Sequence, residues 1–422
     1  MGEAASYCGF LADHRGVIGE GCVVVNEDGV IAGIRKDTIP GARVYDYRGR
    51  GYIVAPGFID LHVHLRGLEL SYKEDEVSGT RAAAASGITL VVDMPNTKPR
   101  VASPEVVWAK LSAFSRSPVD YGVYAGIPDD PRVAYKLLEA PIAGFKVYPE
   151  DLEYRHMQVA SILARHVLVV LHPELPVALQ DYSEELVSRS ITRGCHLEAA
   201  AVDFIAGMKP ASRIHVTHAS CPSTVKRAKH YGYTVDVTPH HLAYTAPRGS
   251  DCLYKVNPPL RGEAERFTLT VMLMEGLIDA VASDHAPHTA LEKSEPLSCS
   301  PGIPWLEAWP WLLFKLVSIG ALTLGEYLYL TSRGPALILG LNNYGILEEG
   351  ARGNLVVIDP RHKWRYQGPR YSKAKYTPTL LMDLVGAPVA TIVGGSITYA
   401  EGEVVEDKGK GVNPFKPAII PL

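Results

Sequence analysis

The chain has 422 residues, 47% of them hydrophobic and 21% charged, which suits a protein with a large buried core and excludes a disordered or low-complexity one. Its formal net charge of -4 excludes a broad electrostatic footprint for nucleic acid or anionic membrane, so the expected ligand is a small molecule. No run reaches the roughly 18 apolar residues of a membrane span, and the opening "MGEAASYCGF" has no basic region ahead of an apolar stretch, so a soluble, cytoplasmic protein is expected.

In chain order, the first fifty residues read as short strands. "CVVVNEDGVIAGIRK" sets two β-branched runs about a turn-forming "NEDG", a hairpin signal. From residue 51 onward the pattern changes. The apolar runs "FIDLHVH", "ITLVVDM", "YGVYAGI", "AGFKVY", "VLVVLH", "RIHVTH", "YTVDVT" and "IDAVASD" alternate with amphipathic stretches that predict helices near 78–87, 104–115, 151–164, 184–206, 262–276 and 305–319. Parallel strands each followed by a helix predict a closed (β/α)8 barrel of the TIM type, in which chemistry sits at the carboxyl ends of the strands. The last seventy residues return to short β runs such as "GNLVVIDP" and "PVATIVGG". The two ends therefore predict one small composite β domain, 1–50 with 345–422, flanking a catalytic barrel over 51–344. The cysteines at 8, 22, 195, 221, 252 and 299 are scattered with no C-x-x-C pair, and indicate neither a zinc knuckle nor a secreted disulfide framework. The 31 prolines suit a heat-adapted protein.

The polar residues at the run ends carry the chemistry. In "HVH" the strand period of two points His62 and His64 to the same side, and two neutral imidazoles aimed at one point form half of a metal site. His172, His218 and Asp284 end other runs, and nitrogen and oxygen donors of this kind suit zinc. Lys146, inside the barrel in "GFKVYP", must be deprotonated, paired with an acid or modified. As a carbamate its two oxygens could bridge two metals. Asp284 suits two compatible roles, metal ligand and acceptor of a proton from metal-activated water. His288 fits a substrate anion, and His285 faces away by strand parity as a support.

The stretches "PGFIDLHVHLR", "DMPNT", "GFKVY", "LHPE", "HVTHAS", "TPHHL", "KVNPPLR" and "SDHAPHT", in this order, resemble the cyclic amidases of the amidohydrolase superfamily, and among them the dihydroorotase family. The resemblance implies that His62, His64 and Asp284 hold one zinc ion, that His172 and His218 hold a second, and that carboxylated Lys146 bridges the pair. It assigns Arg66, Asn96 and His288 to the substrate carboxylate and Asn257 to the pyrimidine ring, with Pro301 and Gly302 lining the ring pocket. The implied reaction is the reversible hydrolysis of (S)-dihydroorotate to N-carbamoyl-L-aspartate in pyrimidine biosynthesis, with Asp284 as the base. The implied partners are a small-molecule substrate, and either a second copy of the chain or aspartate carbamoyltransferase. Asp151 competes with Lys146 for the bridging place. Glu174 is expected to orient His172 or cap the next helix, His240 and His241 to pack behind the strand ends, and Arg261 to add a substrate contact or a surface ion pair. Residues 292–302 read as a mobile loop at the mouth. The rival readings are a hydantoinase, dihydropyrimidinase or allantoinase on the same barrel, whose substrates lack the ring carboxylate, and a non-catalytic barrel relative.

Overall fold

The structure is a computed structural model that describes residues 4–180, 185–208, 213–294, 299–405 and 411–419, with the side chains of 154 and 155 left aside. Eight parallel strands form one sheet: β1 (Phe58–Val63), β2 (Ile88–Asp93), β3 (Asp120–Gly126), β4 (Gly144–Val147), β5 (Leu168–Leu171), β6 (Ile214–Val216), β7 (Thr234–Val237) and β8 (Ala280–Val281). They neighbour one another in chain order, as right-handed βα crossovers require. The segment after β8 closes the ring against β1: His64 donates its backbone N–H to His285 O at 2.8 Å, and Ser283 N–H bonds Asp60 Oδ1 at 3.1 Å. Each apolar run expected to be a barrel strand is one.

β1 and β2 are buried at every position, because helices cover one face of a parallel sheet while the barrel interior takes the other. Alternate residues accordingly fall into two clusters. Val91, Val123, Phe145, Val169 and Val216 pack among the helices. Leu90, Val92, Tyr124, Leu168 and Val170 pack apart from them, with Ala336, Leu339 and Phe415. Lys146 follows Phe145 and His172 follows Leu171, so both fall on the parity that faces the interior.

The helices start where side chains can satisfy free backbone N–H groups. Asp75 accepts from Ser78 N to open α1 (Glu76–Ala84), and Ser103 precedes Pro104 at the start of α2 (Pro104–Ala113). The single helix expected over 184–206 is instead two, α3 (Leu186–Thr192) and α4 (Cys195–Gly207). Gly194 sits between them in extended conformation, and the break turns Arg193 inward onto Glu174.

Both chain ends build a second sheet of nine strands. Its amino-terminal members are Ala5–Asp13, Gly16–Val25, Ile31–Arg35, Arg43–Asp46 and Ile53–Pro56, and its carboxyl-terminal members run from Leu355–Arg365 to Glu403–Val404. Ile53–Pro56 pairs antiparallel with Leu355–Ile358, joining the two ends. Residues 411–419 return to the barrel, where Val412 N–H donates to Asp120 Oδ1 at 2.8 Å.

The cysteines overturn the expectation drawn from their spacing. All six are paired, as Cys8–Cys22, Cys195–Cys221 and Cys252–Cys299. Partners 14, 26 and 47 residues apart meet only through strand pairing and loop packing, which local spacing does not reveal.

Candidate metal centre

Strand ends β1, β5, β6 and β8 converge on a cavity of about 260 Å³. His62, His64, Arg66, Asn96, His172, His218, Asn257, Asp284, His288, Pro301 and Gly302 all line it, and Lys146 lies fully buried on the neighbouring strand β4. Tyr148, Pro149, Glu150, Leu179, Arg193 and Ala286 also line it, and sequence reasoning named none of these. Tyr148 was within reach, because two residues beyond Lys146 a strand returns to the same side.

Three of the cavity residues have left-handed backbones: Arg66 (φ 55°), His218 (φ 40°) and Asp284 (φ 46°). Each such conformation costs a non-glycine residue about 1–3 kcal/mol and persists only where surroundings hold it. Buried acids do the holding at His218 and next to Arg66. Asp236 on β7 accepts from His218 N at 2.7 Å and from Thr217 Oγ1 at 2.8 Å, and Asp93 accepts from Leu65 N at 2.8 Å.

His62, His64 and Asp284 form a buried group whose ligand atoms lie within 4.8 Å of one another. Asp284 Oδ1 is 3.2 Å from His62 Nε2 and 3.0 Å from His64 Nε2. The other ring nitrogens set the tautomers. His62 Nδ1 lies 2.6 Å from Thr217 Oγ1, whose hydroxyl proton goes to Asp236, so the hydroxyl accepts from the ring. His64 Nδ1 lies 2.6 Å from Asn96 Oδ1 and donates to it. Both Nε2 lone pairs then face a carboxylate oxygen. Three acceptors aimed at one point repel unless a cation lies among them, and this donor set fits a divalent metal. Burial, then the charge of Lys146, holds His62 well below the usual imidazole range, so it stays neutral as a ligand must.

The other side of the mouth is arranged differently. Lys146 Nζ and His218 Nδ1 are buried with no hydrogen-bond partner among the described residues. Burial pushes the Lys146 ammonium down to about 7, which gives a neutral amine in quantity at neutral pH. The alternative of a lysine paired with an acid finds no ion pair among the described residues, and Asp151 is engaged elsewhere by Arg100 at 3.0 and 2.6 Å. The ring of His172 lies 4.4 Å from that of His218, nearly perpendicular to it. His172 Nε2 bonds Glu174 Oε2 at 2.6 Å, leaving Nδ1 as its donor to the cavity. Burial opposes ionisation of Glu174, but the bonds from His172 and from Arg193, at 2.8 and 2.5 Å, outweigh it and hold the carboxyl far below its usual range. Glu174 thus fixes the His172 ring, the first of the two roles expected for it.

On the cavity's outer side, Arg66 sends Nε to Pro287 O at 3.3 Å and Nη2 toward His288 Nε2 at 3.2 Å, and no carboxylate of the described residues pairs with it. His288 is pushed down to about 3 by burial and then by Arg66, so it is neutral. Asn257 Oδ1 accepts from Arg189 at 2.6 Å. Arg261 corrects its expectation. It is neither a cavity residue nor a surface ion pair, but buried at 3% exposure and bonded to Glu198 Oε1 at 2.6 Å. His285 is engaged by Glu74 and Trp305, and His241 by Thr238 and Pro258, behind the cavity as expected. His240 is buried against His241 and Trp305. In the 292–302 loop, 290–294 is a short helix, and residues 295–298 lie outside the described residues.

A parallel barrel with a buried His-His-Asp group at the carboxyl ends of its strands defines a metal-dependent hydrolase of the amidohydrolase class. The model of the amidohydrolase family matches residues 53–398. Dihydroorotase from Aeropyrum pernix is 41% identical over 420 residues, covering 96% of each chain, and dihydroorotase from Saccharolobus solfataricus is 41% identical over 368 residues, covering 87% of this chain and 88% of the relative. The chain belongs to the amidohydrolase family and, within it, to the dihydroorotases. Among solved structures the fold is shared with the L-hydantoinase (dihydropyrimidinase) of Arthrobacter aurescens, at TM-score 0.87 and 24% identity over 97% of this chain and 99% of that one. It is also shared with the dihydropyrimidinase of Brevibacillus agri, at TM-score 0.85 and 22% identity over 99% and 100%.

Proposed function

We propose that the chain catalyses the reversible ring opening of (S)-dihydroorotate to N-carbamoyl-L-aspartate, with two zinc ions held by His62, His64, Lys146 as its carbamate, His172, His218 and Asp284. The observation that carries the choice of substrate is Arg66, a buried guanidinium on the cavity wall without a carboxylate of its own, in a chain 41% identical to dihydroorotases. Substrates of hydantoinases, dihydropyrimidinases and allantoinases have no ring carboxylate to meet it.

Bound zinc would polarise the scissile carbonyl and lower the pKa of water from about 15.7 toward 7. The chain's own groups do the rest. Arg66 holds the substrate carboxylate with its guanidinium fork. Asn96, its oxygen occupied by His64, turns its amide N–H groups to the same anion, and neutral His288 adds a donor. Asn257 and the backbone at Pro301 and Gly302 meet the ring edge. Asp284 keeps Oδ1 toward His62 and His64, so Oδ2 takes the proton from the attacking water and returns it to the leaving nitrogen. We assign the catalytic barrel to 51–344 and the composite β domain to 1–50 with 345–422, the strand Ile53–Pro56 at the head of the barrel segment adding to the sheet of the β domain. The chain acts in the cytoplasm, alone, as an oligomer or docked to aspartate carbamoyltransferase. Among the described residues no helix is long and apolar enough to cross a membrane.

Zinc-supplemented enzyme offered dihydroorotate, hydantoin, dihydrouracil and allantoin side by side tests the reading. Dihydroorotate should be turned over far faster than the other three; preference for a ring without a carboxylate would overturn it.

A further inference from the structure

Arg66 sits in a strained turn with a buried ammonium behind it. Arg66, Gly67 and Leu68 have φ of 55°, 64° and 48°, three successive positive values that begin three residues past the end of β1. Lys110, on α2 outside the barrel and fully buried, reaches under this turn. Its Nζ donates to Arg66 O at 2.8 Å and to Glu76 Oε1 at 2.5 Å, and forms an ion pair with Asp93 Oδ2 at 2.6 Å. Burial opposes the charge, but Asp93 and then Glu76 outweigh it and raise the ammonium above its ordinary range, so Lys110 stays protonated. The other oxygen of Asp93 accepts from Leu65 N, so the same carboxylate fixes the residue before Arg66. Gly67 is packed into this arrangement as well: a Cβ there would lie 2.1 Å from Glu76 Oε1.

We propose that Lys110, clamped by Glu76 and Asp93, is a positioning residue that sets the affinity and selectivity of the site for substrates bearing a carboxylate. It does so by holding the Arg66 carbonyl, and with it the left-handed backbone that directs the guanidinium into the cavity. Lys110 does not itself line the cavity, so it acts only through Arg66. When the ammonium is removed, the Arg66 peptide relaxes toward an ordinary conformation and its side chain leaves the anion position, while His218, His62 and His64, held by Asp236, Thr217 and Asn96, stay in place. The proposal rests on the reading that Arg66 binds the substrate carboxylate.

A double-mutant cycle tests it, with KM and kcat for dihydroorotate measured on the zinc-loaded full chain. Arg66→Met alone tests the underlying reading and should raise KM by about 10–100-fold, the value of one or two charge-assisted bonds. Lys110→Met should raise KM by about 10-fold or more and leave kcat within a few-fold, and in the Arg66→Met background it should add nothing. Because Lys110→Met strands two buried carboxylates, Glu76→Gln/Lys110→Met is the companion variant and should show the same KM-only effect. If Arg66→Met leaves KM unchanged, the carboxylate reading fails. If Arg66→Met raises KM but the folded Lys110 variants do not, or if the two effects multiply, the positioning role is overturned. Loss of the fold in both Lys110 variants would assign the network to stability and overturn it too.

Discussion

The two sides of the barrel mouth differ in how completely the protein alone prepares them. On the side of His62, His64 and Asp284, each histidine has its non-ligating nitrogen fixed by a named partner, and the free donors already meet within 4.8 Å. On the side of Lys146, His172 and His218, only His172 is fixed, and two buried nitrogens have no partner among the described residues. A buried polar atom without a partner costs about 1–3 kcal/mol, a deficit the second side carries in its unpaired nitrogens, whereas the cost on the first side is the crowding of acceptors on one point. The lesson is that the His62, His64 and Asp284 group is arranged by the fold to receive a cation, whereas the proposed second position would depend on chemistry at Lys146.

The sharpest way to break the prepared side is Asp284→Ala. It removes both the shared oxygen and the proposed base, and kcat should fall by about 10³-fold or more while the thermal midpoint of the metal-free protein holds. An active variant would remove Asp284 from the chemistry. The second side should respond to Glu174→Gln, which frees the His172 ring and should weaken zinc binding by about 10–100-fold in a titration against a competing chelator. A smaller effect is expected at the loop that follows His218. The Cys195–Cys221 bond ties it to α4 across 26 residues, and closing a loop of that length stabilises by about 3–4 kcal/mol. Cys195→Ser/Cys221→Ser should lower the thermal midpoint by several degrees, and an unchanged midpoint would show that the bond contributes nothing. Least of all should acid affect the packing behind both sides. Burial, against the pull of the Pro258 carbonyl, lowers His241 to about 4, below the unfolded value near 6.5. The unfolded chain then binds more protons between these values, so stability falls as pH drops from about 6.5 to 4. His241→Gln should flatten that slope in metal-free protein.

The barrel is legible in the sequence because each strand is an apolar run, most of them closed by a polar residue, and the hydrophobic pattern survives without any knowledge of tertiary contacts. His62 and His64 are legible for a related reason, since a period of two sets them on one face. The left-handed backbones of Arg66, His218 and Asp284 are not, because none is a glycine, and at Arg66 and His218 the strain is held by Lys110, Asp93 and Asp236 from other elements. Arg193 is hidden for the same kind of reason, as it lies inside what reads as one helix until Gly194 divides it. The three disulfides are hidden because partners up to 47 residues apart meet only in the folded chain.

The contrast between the two sides is tested most directly by zinc stoichiometry in wild-type protein and in Lys146→Ala, each loaded in bicarbonate buffer, dialysed and analysed for metal. Wild-type protein should retain two ions per chain and the variant one, held by His62, His64 and Asp284. Equal stoichiometry in the two proteins would contradict that contrast.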